Sequence, residues 1–281
     1  MRHTRLLIAS VLTLSSVALV AVQNAAPATA MTSRGRGVAS AMYLKTQPEK
    51  LVGGGAGWSY NWTYRVPAST PDLDIVPMIR TASSLTDDAV RTLTQAKQSG
   101  ANRFLLGFNE PDSVNQANLS PTQAANLWPR LQQTGLSLGS PSPANVTNGW
   151  LKQFMALVRS RHLRVDFIAL HFYANITDTN AINRIKQQVE AVRAHYGKPI
   201  WITEIGIIDT RANPGSTSIN WAKSVKFMRA VTAMLDTKSY VQRYAWMADN
   251  VSSRAHLQWS TLYDANGNLT PLGTAYSQLS Q

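Results

Sequence analysis

Short apolar runs alternate with amphipathic stretches along nearly the whole chain, a pattern that predicts repeated strand-then-helix units. Eight strand candidates stand out: Gly53 to Tyr60, Leu73 to Ile79, Arg103 to Phe108, Leu136 to Ser140, Val165 to His171, Ile200 to Glu204, Val241 to Met247 and Gln258 to Leu262. Helical periodicity fills the gaps at Thr86 to Ser99, Ser120 to Thr134, Gly149 to Arg161, Thr179 to Tyr196, Ser218 to Leu235 and Pro271 to Leu279. Ser120-Pro121 reads as an N-cap followed by a first-turn proline, and Gly100, Gly135 and Gly197 sit where a left-handed C-cap is wanted. The runs Phe167–Leu170 and Ile200–Ile202 are apolar at successive positions, as parallel strands covered on both faces must be. The predicted fold is a single-domain α/β (β/α)8 TIM barrel. An open doubly wound sheet is the alternative, but no Gly-x-Gly-x-x-Gly turn follows an early strand.

The first residues change the picture of where the barrel begins. Arg2 and Arg5 precede an apolar run from Leu6 to Val22 that leads into Ala28-Thr29-Ala30, the pattern of a secretory signal peptide. A retained N-terminal anchor is the alternative reading. The expected organisation is a signal peptide over 1–30, an N-terminal arm over 31–48 rich in Ser, Arg and Gly, and the barrel over 49–281. Removing residues 1–30 takes away two arginines and no acid, so the formal charge falls from +12 to +10. This basicity favours anionic surroundings. The cations are scattered, however, and read as a solvated surface rather than a nucleic-acid site. The expected product is secreted, extracellular or cell-wall associated, free of the membrane once mature, and monomeric. Cysteine is absent, which excludes disulfides, thiolate metal sites and cysteine nucleophiles.

Barrel enzymes carry their chemistry at the C-terminal ends of the strands. Two carboxylates fall there: Glu110 in Gly107-Phe-Asn-Glu-Pro-Asp112, after the third strand candidate, and Glu204 at the end of the sixth. Cleavage of a glycosidic bond needs such a pair, one acid to protonate the leaving oxygen and one carboxylate to attack or to activate water. The competing structural readings are a Glu-Pro-Asp loop turn for Glu110 and a buried carboxylate paired with an arginine for Glu204. Asn109 is expected to donate its amide N–H toward a sugar hydroxyl, His171 to bond a hydroxyl or a catalytic glutamate, and Tyr173 to hold the second carboxylate. Trp58, Tyr60 and Trp62 share one strand face and offer a sugar platform. Trp246, followed by Asp249 and Asn250, is the preferred subsite aromatic. No metal-ligand spacing, P-loop or nucleophile elbow occurs, so neither metal nor cofactor is expected.

At these motifs the chain resembles glycoside hydrolase family 128, clan A barrel enzymes acting on β-1,3-glucans. The segments that carry the likeness are Gly57-Trp-Ser-Tyr-Asn-Trp62, Gly107-Phe-Asn-Glu-Pro-Asp112, Leu170-His-Phe-Tyr173, Trp201-Ile-Thr-Glu-Ile-Gly206 and Leu269-Thr-Pro-Leu-Gly273. The resemblance implies Glu110 as acid/base, Glu204 as nucleophile, retention of anomeric configuration and a β-glucan polysaccharide as substrate. Another β-glycan, β-1,4-glucan or mannan, is the nearest alternative, and a non-catalytic glycan-binding barrel is the alternative from a different class.

Overall fold

The computed structural model describes residues 35–40, 48–210, 220–248 and 255–279. The expected signal peptide, together with Asp249 and Asn250, lies outside the described residues. Among the described residues eight strands run in parallel: β1 Arg36–Ala39, β2 Trp58–Tyr60, β3 Asp74–Ile75, β4 Phe104–Leu105, β5 Ser137–Leu138, β6 Ile168–Asn175, β7 Ile200–Ile208 and β8 Val241–Met247. The helices are α1 Pro48–Gly53, α2 Asp87–Gln98, α3 Pro121–Gln132, α4 Trp150–Ser160, α5 Ala181–Tyr196, α6 Trp221–Asp236 and α7 Pro271–Ser277. Among the described residues no helix is long and apolar enough to cross a membrane.

Six strands join in the order β3-β2-β1-β8-β7-β6, and β4 pairs with β5. Single parallel bridges, Met78↔Leu106 and Gly139↔Phe167, tie the pair to β3 and β6 and complete the ring. The fold is the predicted (β/α)8 barrel, with long strands on the β6–β8 side and two-residue strands on the β3–β5 side.

Two predicted elements are corrected. Arg36–Ala39, expected in the N-terminal arm, is a buried strand hydrogen-bonded between β2 and β8, so the barrel begins before residue 49. Trp58 makes this possible, because its indole lies against Gly37, where a β-carbon would come within 2.3 Å of Trp58 Nε1. Gln258 to Leu262, predicted as a strand, instead overlaps a 3-10 turn at Ala255–Ser260. That turn docks on β7 through a side chain rather than a ladder: Ser260 Oγ accepts from the Ile207 N–H at 2.5 Å and donates to the Ile207 carbonyl at 2.9 Å. Glu110 therefore follows the fourth strand and Glu204 lies in the seventh, not the third and sixth. The helix ends match expectation: Ser120 accepts from the Gln123 N–H, and Gly100, Gly135 and Gly197 all have φ near +70°.

The barrel interior is packed by Trp58, Tyr60, Met78, Leu106, Phe167, Trp201 and Met247, with the Phe167 and Trp201 rings stacked at 4.0 Å. At its floor the Arg243 guanidinium lies over Trp201 and Phe104, at 4.4 and 4.7 Å, and bonds Asp74 at 2.6 Å. Burial pushes the Asp74 carboxyl up, but the charge and hydrogen bond of Arg243, and then the Arg103 charge, outweigh it and leave the pKa below its ordinary value. Asp74→Ala leaves a buried guanidinium without its partner and is expected to cost about 3–5 kcal/mol of stability, measured by chemical denaturation. Because the folded pKa is depressed, Asp74's contribution is complete above about pH 4 and is lost as pH falls through the folded value. The stability gap between wild type and Asp74→Asn should accordingly shrink in acid; a pH-independent gap would contradict this role.

Candidate active site

Glu204 reaches the interior through a break in the strand alternation. Ile200, Ile202, Ile205 and Ile207 face the helices, whereas Trp201 faces the barrel interior. Strict period-two alternation would send residue 204 outward with the isoleucines. The register instead slips by one, pairing Leu170 with Ile202 and His171 with Glu204, so that Thr203 is extra. This β-bulge resets the phase, and both Thr203 and Glu204 are turned toward the mouth.

There Glu204, 4% exposed, meets three donors, two from β2 and the turn after it and one from β6. Tyr60 Oη and Trp62 Nε1 donate to Oε1 at 3.0 and 2.9 Å, and Tyr173 Oη donates to Oε2 at 2.5 Å. The Tyr173 ring gains its place against β7 because its partner there is Gly206, where a β-carbon would lie 3.2 Å from Tyr173 Cε1. Burial, followed by the Glu204 charge, pushes the Tyr60 phenol well above its ordinary value, which keeps it a donor. Among the described residues no arginine is paired with Glu204; its partners are phenols, an indole and an imidazole.

Glu110 approaches from the opposite side. Its backbone has φ +41°, a conformation rarely adopted by a side-chain-bearing residue, and it is pinned by the Glu110 N–H bond to the Ser142 carbonyl at 2.8 Å. Asp112 anchors the same turn, since its carboxylate accepts from the Ala144 and Asn145 N–H groups and from Asn148 Nδ2 at 2.7, 3.0 and 2.6 Å. His171, fully buried at the side chain, lies between the two acids: Nδ1 is 3.2 Å from Glu110 Oε1 and Nε2 is 3.6 Å from Glu204 Oε1. Burial pulls the imidazole pKa down, but the Glu204 charge and the Glu110 hydrogen bond overcome this and leave it raised. One oxygen from each glutamate and a ring nitrogen of His171 all lie within 4.8 Å of one another. Two carboxylates and an imidazole this close also make a donor set that a divalent cation could use.

The site thus gathers Glu110, Glu204, His171 and Tyr173 as predicted. Asn109 is adjacent but differently engaged: Nδ2 donates to Gln116 Oε1 at 3.4 Å, and Gln116 also accepts from Arg80 Nη2 at 2.9 Å. Arg80 can only donate, which fixes the Gln116 oxygen toward it and leaves Asn109 Oδ1 as the atom without a partner. One N–H of Asn109 is thus engaged by Gln116, and its second remains to donate. Two aromatics are corrected. Trp58 is fully buried in the barrel, with Nε1 bonded to the Gly35 and Tyr244 carbonyls, and Trp246 is fully buried against the helical shell beside Phe227 and Tyr276. Neither presents a face to a sugar. Trp62, half-buried with φ +56° and bonded to Glu204, is the indole at the mouth. The carboxylate-holding roles of Tyr60 and Trp62 and the anchoring by Asp112 were not anticipated; the i, i+2 spacing of the two aromatics was their only trace in the sequence.

Comparison with known proteins follows the same lines. Residues 37–276 match the glycosyl hydrolase catalytic core family. A subgroup I endo-β-1,3-glucanase of glycoside hydrolase family 128 from Amycolatopsis mediterranei, solved with laminaritriose and laminaribiose, is 34% identical, covers 87% of this chain and 99% of its own, and superposes with a TM-score of 0.74. A subgroup II endo-β-1,3-glucanase of the same family from Sorangium cellulosum is 27% identical over 88% of this chain and 99% of its own, with a TM-score of 0.69. The alkali-sensitive linkage protein 1 of Schizosaccharomyces pombe is 28% identical over 237 residues, 81% of this chain, and the chain spans only 41% of that relative's length. With the match running from the first barrel strand to the last helix, the chain belongs to the glycosyl hydrolase catalytic core family and, within it, to glycoside hydrolase family 128.

Proposed function

We propose that the protein is a secreted, retaining endo-β-1,3-glucanase in which Glu204 is the nucleophile and Glu110 the acid/base. The observation that carries the reading is the pair of carboxylates converging with His171 inside 4.8 Å, from strands on different sides of one mouth. Retaining glycosidases hold their carboxyls about 5–5.5 Å apart, whereas inverting ones leave about 6.5–9.5 Å for a water. The Amycolatopsis mediterranei family member, solved with laminaritriose and laminaribiose, supports β-1,3-glucan as substrate.

In the first step Glu110 gives its proton to the glycosidic oxygen while Glu204 attacks the anomeric carbon, forming a glycosyl ester. Oε2 is the better placed attacking atom, because it sheds one hydrogen bond, from Tyr173, whereas Oε1 carries those of Tyr60 and Trp62. In the second step Glu110 takes a proton from water, which cleaves the ester. His171 lies within reach of both acids, and its raised pKa favours the imidazolium beside whichever carboxylate carries the charge.

Proton NMR of laminarin hydrolysis should show the β-anomer as first product; an α-anomer would exclude retention. Glu110→Gln is expected to slow natural glucan by roughly 10²–10⁴-fold but to spare activated aryl glycosides, which need little protonation. Equal loss on both would count against the acid/base role. His171's raised pKa means that its charged form contributes stability in full below about pH 6.5 and that this contribution is lost as pH rises through the folded value. His171→Asn should therefore narrow its stability deficit above neutrality, and a deficit constant with pH would argue that the imidazole is uncharged.

A further inference from the structure

The face of the barrel opposite the mouth holds a second polar site. At the N-terminal ends of β2, β3, β4 and β8 lies a cavity of about 250 Å³, lined by Ser69, Thr70, Asp74, Arg103 and Arg243 among others. Two guanidiniums face one carboxylate there. Asp74 Oδ2 accepts from Arg103 Nη2 at 2.9 Å and from Arg243 Nη2 at 2.6 Å, and Oδ1 accepts from Ser69 Oγ at 3.0 Å, so the acid has no further charge to give. Arg243 is 8% exposed, and its Nη1 has no hydrogen-bond partner among the described residues. Thr70 Oγ1 accepts from the Leu73 N–H, which leaves its hydroxyl proton to offer.

We propose that this cavity is a binding site for a phosphate group, held by Arg243 from within, Arg103 from the rim and the Thr70 hydroxyl. An oxyanion supplies what the cavity lacks, a second negative charge where two guanidiniums share the single Asp74 carboxylate. Burial draws the Arg243 pKa down and Arg103 draws it down further, against the pull of Asp74, so excess positive charge is the unfavourable feature of this floor. The ring faces of Trp201, Phe104 and Trp58 beside Arg243 offset part of that charge but accept no directional N–H bond. The volume is below the roughly 300 Å³ at which pockets begin to hold drug-sized molecules, and it suits a small anion with retained water. The site is independent of the glycan reading and lies away from its residues. It gives this basic chain a place to hold phosphate, either as the free ion or as a group carried on a larger anionic polymer.

The test is titration of the full chain with inorganic phosphate and with glycerol 2-phosphate, at ionic strength fixed by sodium chloride and read by calorimetry and thermal shift. Wild type should show saturable binding with a rise in Tm. Arg103→Gln, a change at a side chain 61% exposed, should weaken the phosphate dissociation constant tenfold or more while leaving glucan hydrolysis unchanged. Binding of both compounds assigns the site to phosphate esters as well as the ion; binding of inorganic phosphate alone assigns it to the ion. A non-saturating rise of the kind excluded salts give any protein, or equal binding by wild type and Arg103→Gln, would overturn the proposal.

Discussion

The site depends on one irregularity, the extra residue Thr203 in β7. Without the bulge, the alternation that buries Ile200 and Ile202 against the helices would place the Glu204 carboxylate in the apolar shell, where it would have no donors. With it, Glu204 enters a wall of Tyr60, Trp62 and Tyr173 and comes beside His171. The opposing acid is placed by a second departure from regular backbone, the positive φ of Glu110, stabilised by its bond to Ser142 and by the Asp112 anchor. Both catalytic candidates thus sit where local regularity has been given up, as expected where a scaffold must aim a side chain against its own periodicity.

The two ends of the barrel solve a shared electrostatic problem in opposite ways. At the mouth two carboxylates crowd together, and a buried imidazole with a raised pKa lies between them. At the floor two guanidiniums share one carboxylate beneath a layer of stacked aromatics. Excess negative charge at one end favours protonation, the chemistry the proposed reaction uses. Excess positive charge at the other favours an anion.

Much of this was legible in the sequence. The positions of α2 to α7 followed from periodicity and capping residues, and the two glutamates from their place after apolar runs, whereas α1 at Pro48–Gly53 was not foreseen. What escaped did so for physical reasons. β1 is four residues long, in a segment rich in Ser, Arg and Gly, and its stability comes from pairing on both edges rather than from its own pattern. Gln258 to Leu262 buries Trp259 and Leu262 where the turn packs near β7, and so short a partly buried run does not declare whether it is strand or turn. Trp58 and Trp246 looked like sugar platforms because an indole has the same composition in a core as in a cleft; only burial separates the two. Asp112's role rests on backbone N–H groups about thirty residues away, which no local pattern displays.

The central claim is that Glu204 becomes covalently bonded to sugar while Glu110 serves the leaving group. The most direct measurement is to trap that ester with an activated 2-deoxy-2-fluoro β-1,3-glucoside and map the adduct by peptide mass spectrometry. The account predicts stoichiometric labelling on Glu204, with Glu110 unmodified. Labelling of Glu110 instead, or hydrolysis of the reagent without any adduct on the protein, would contradict it.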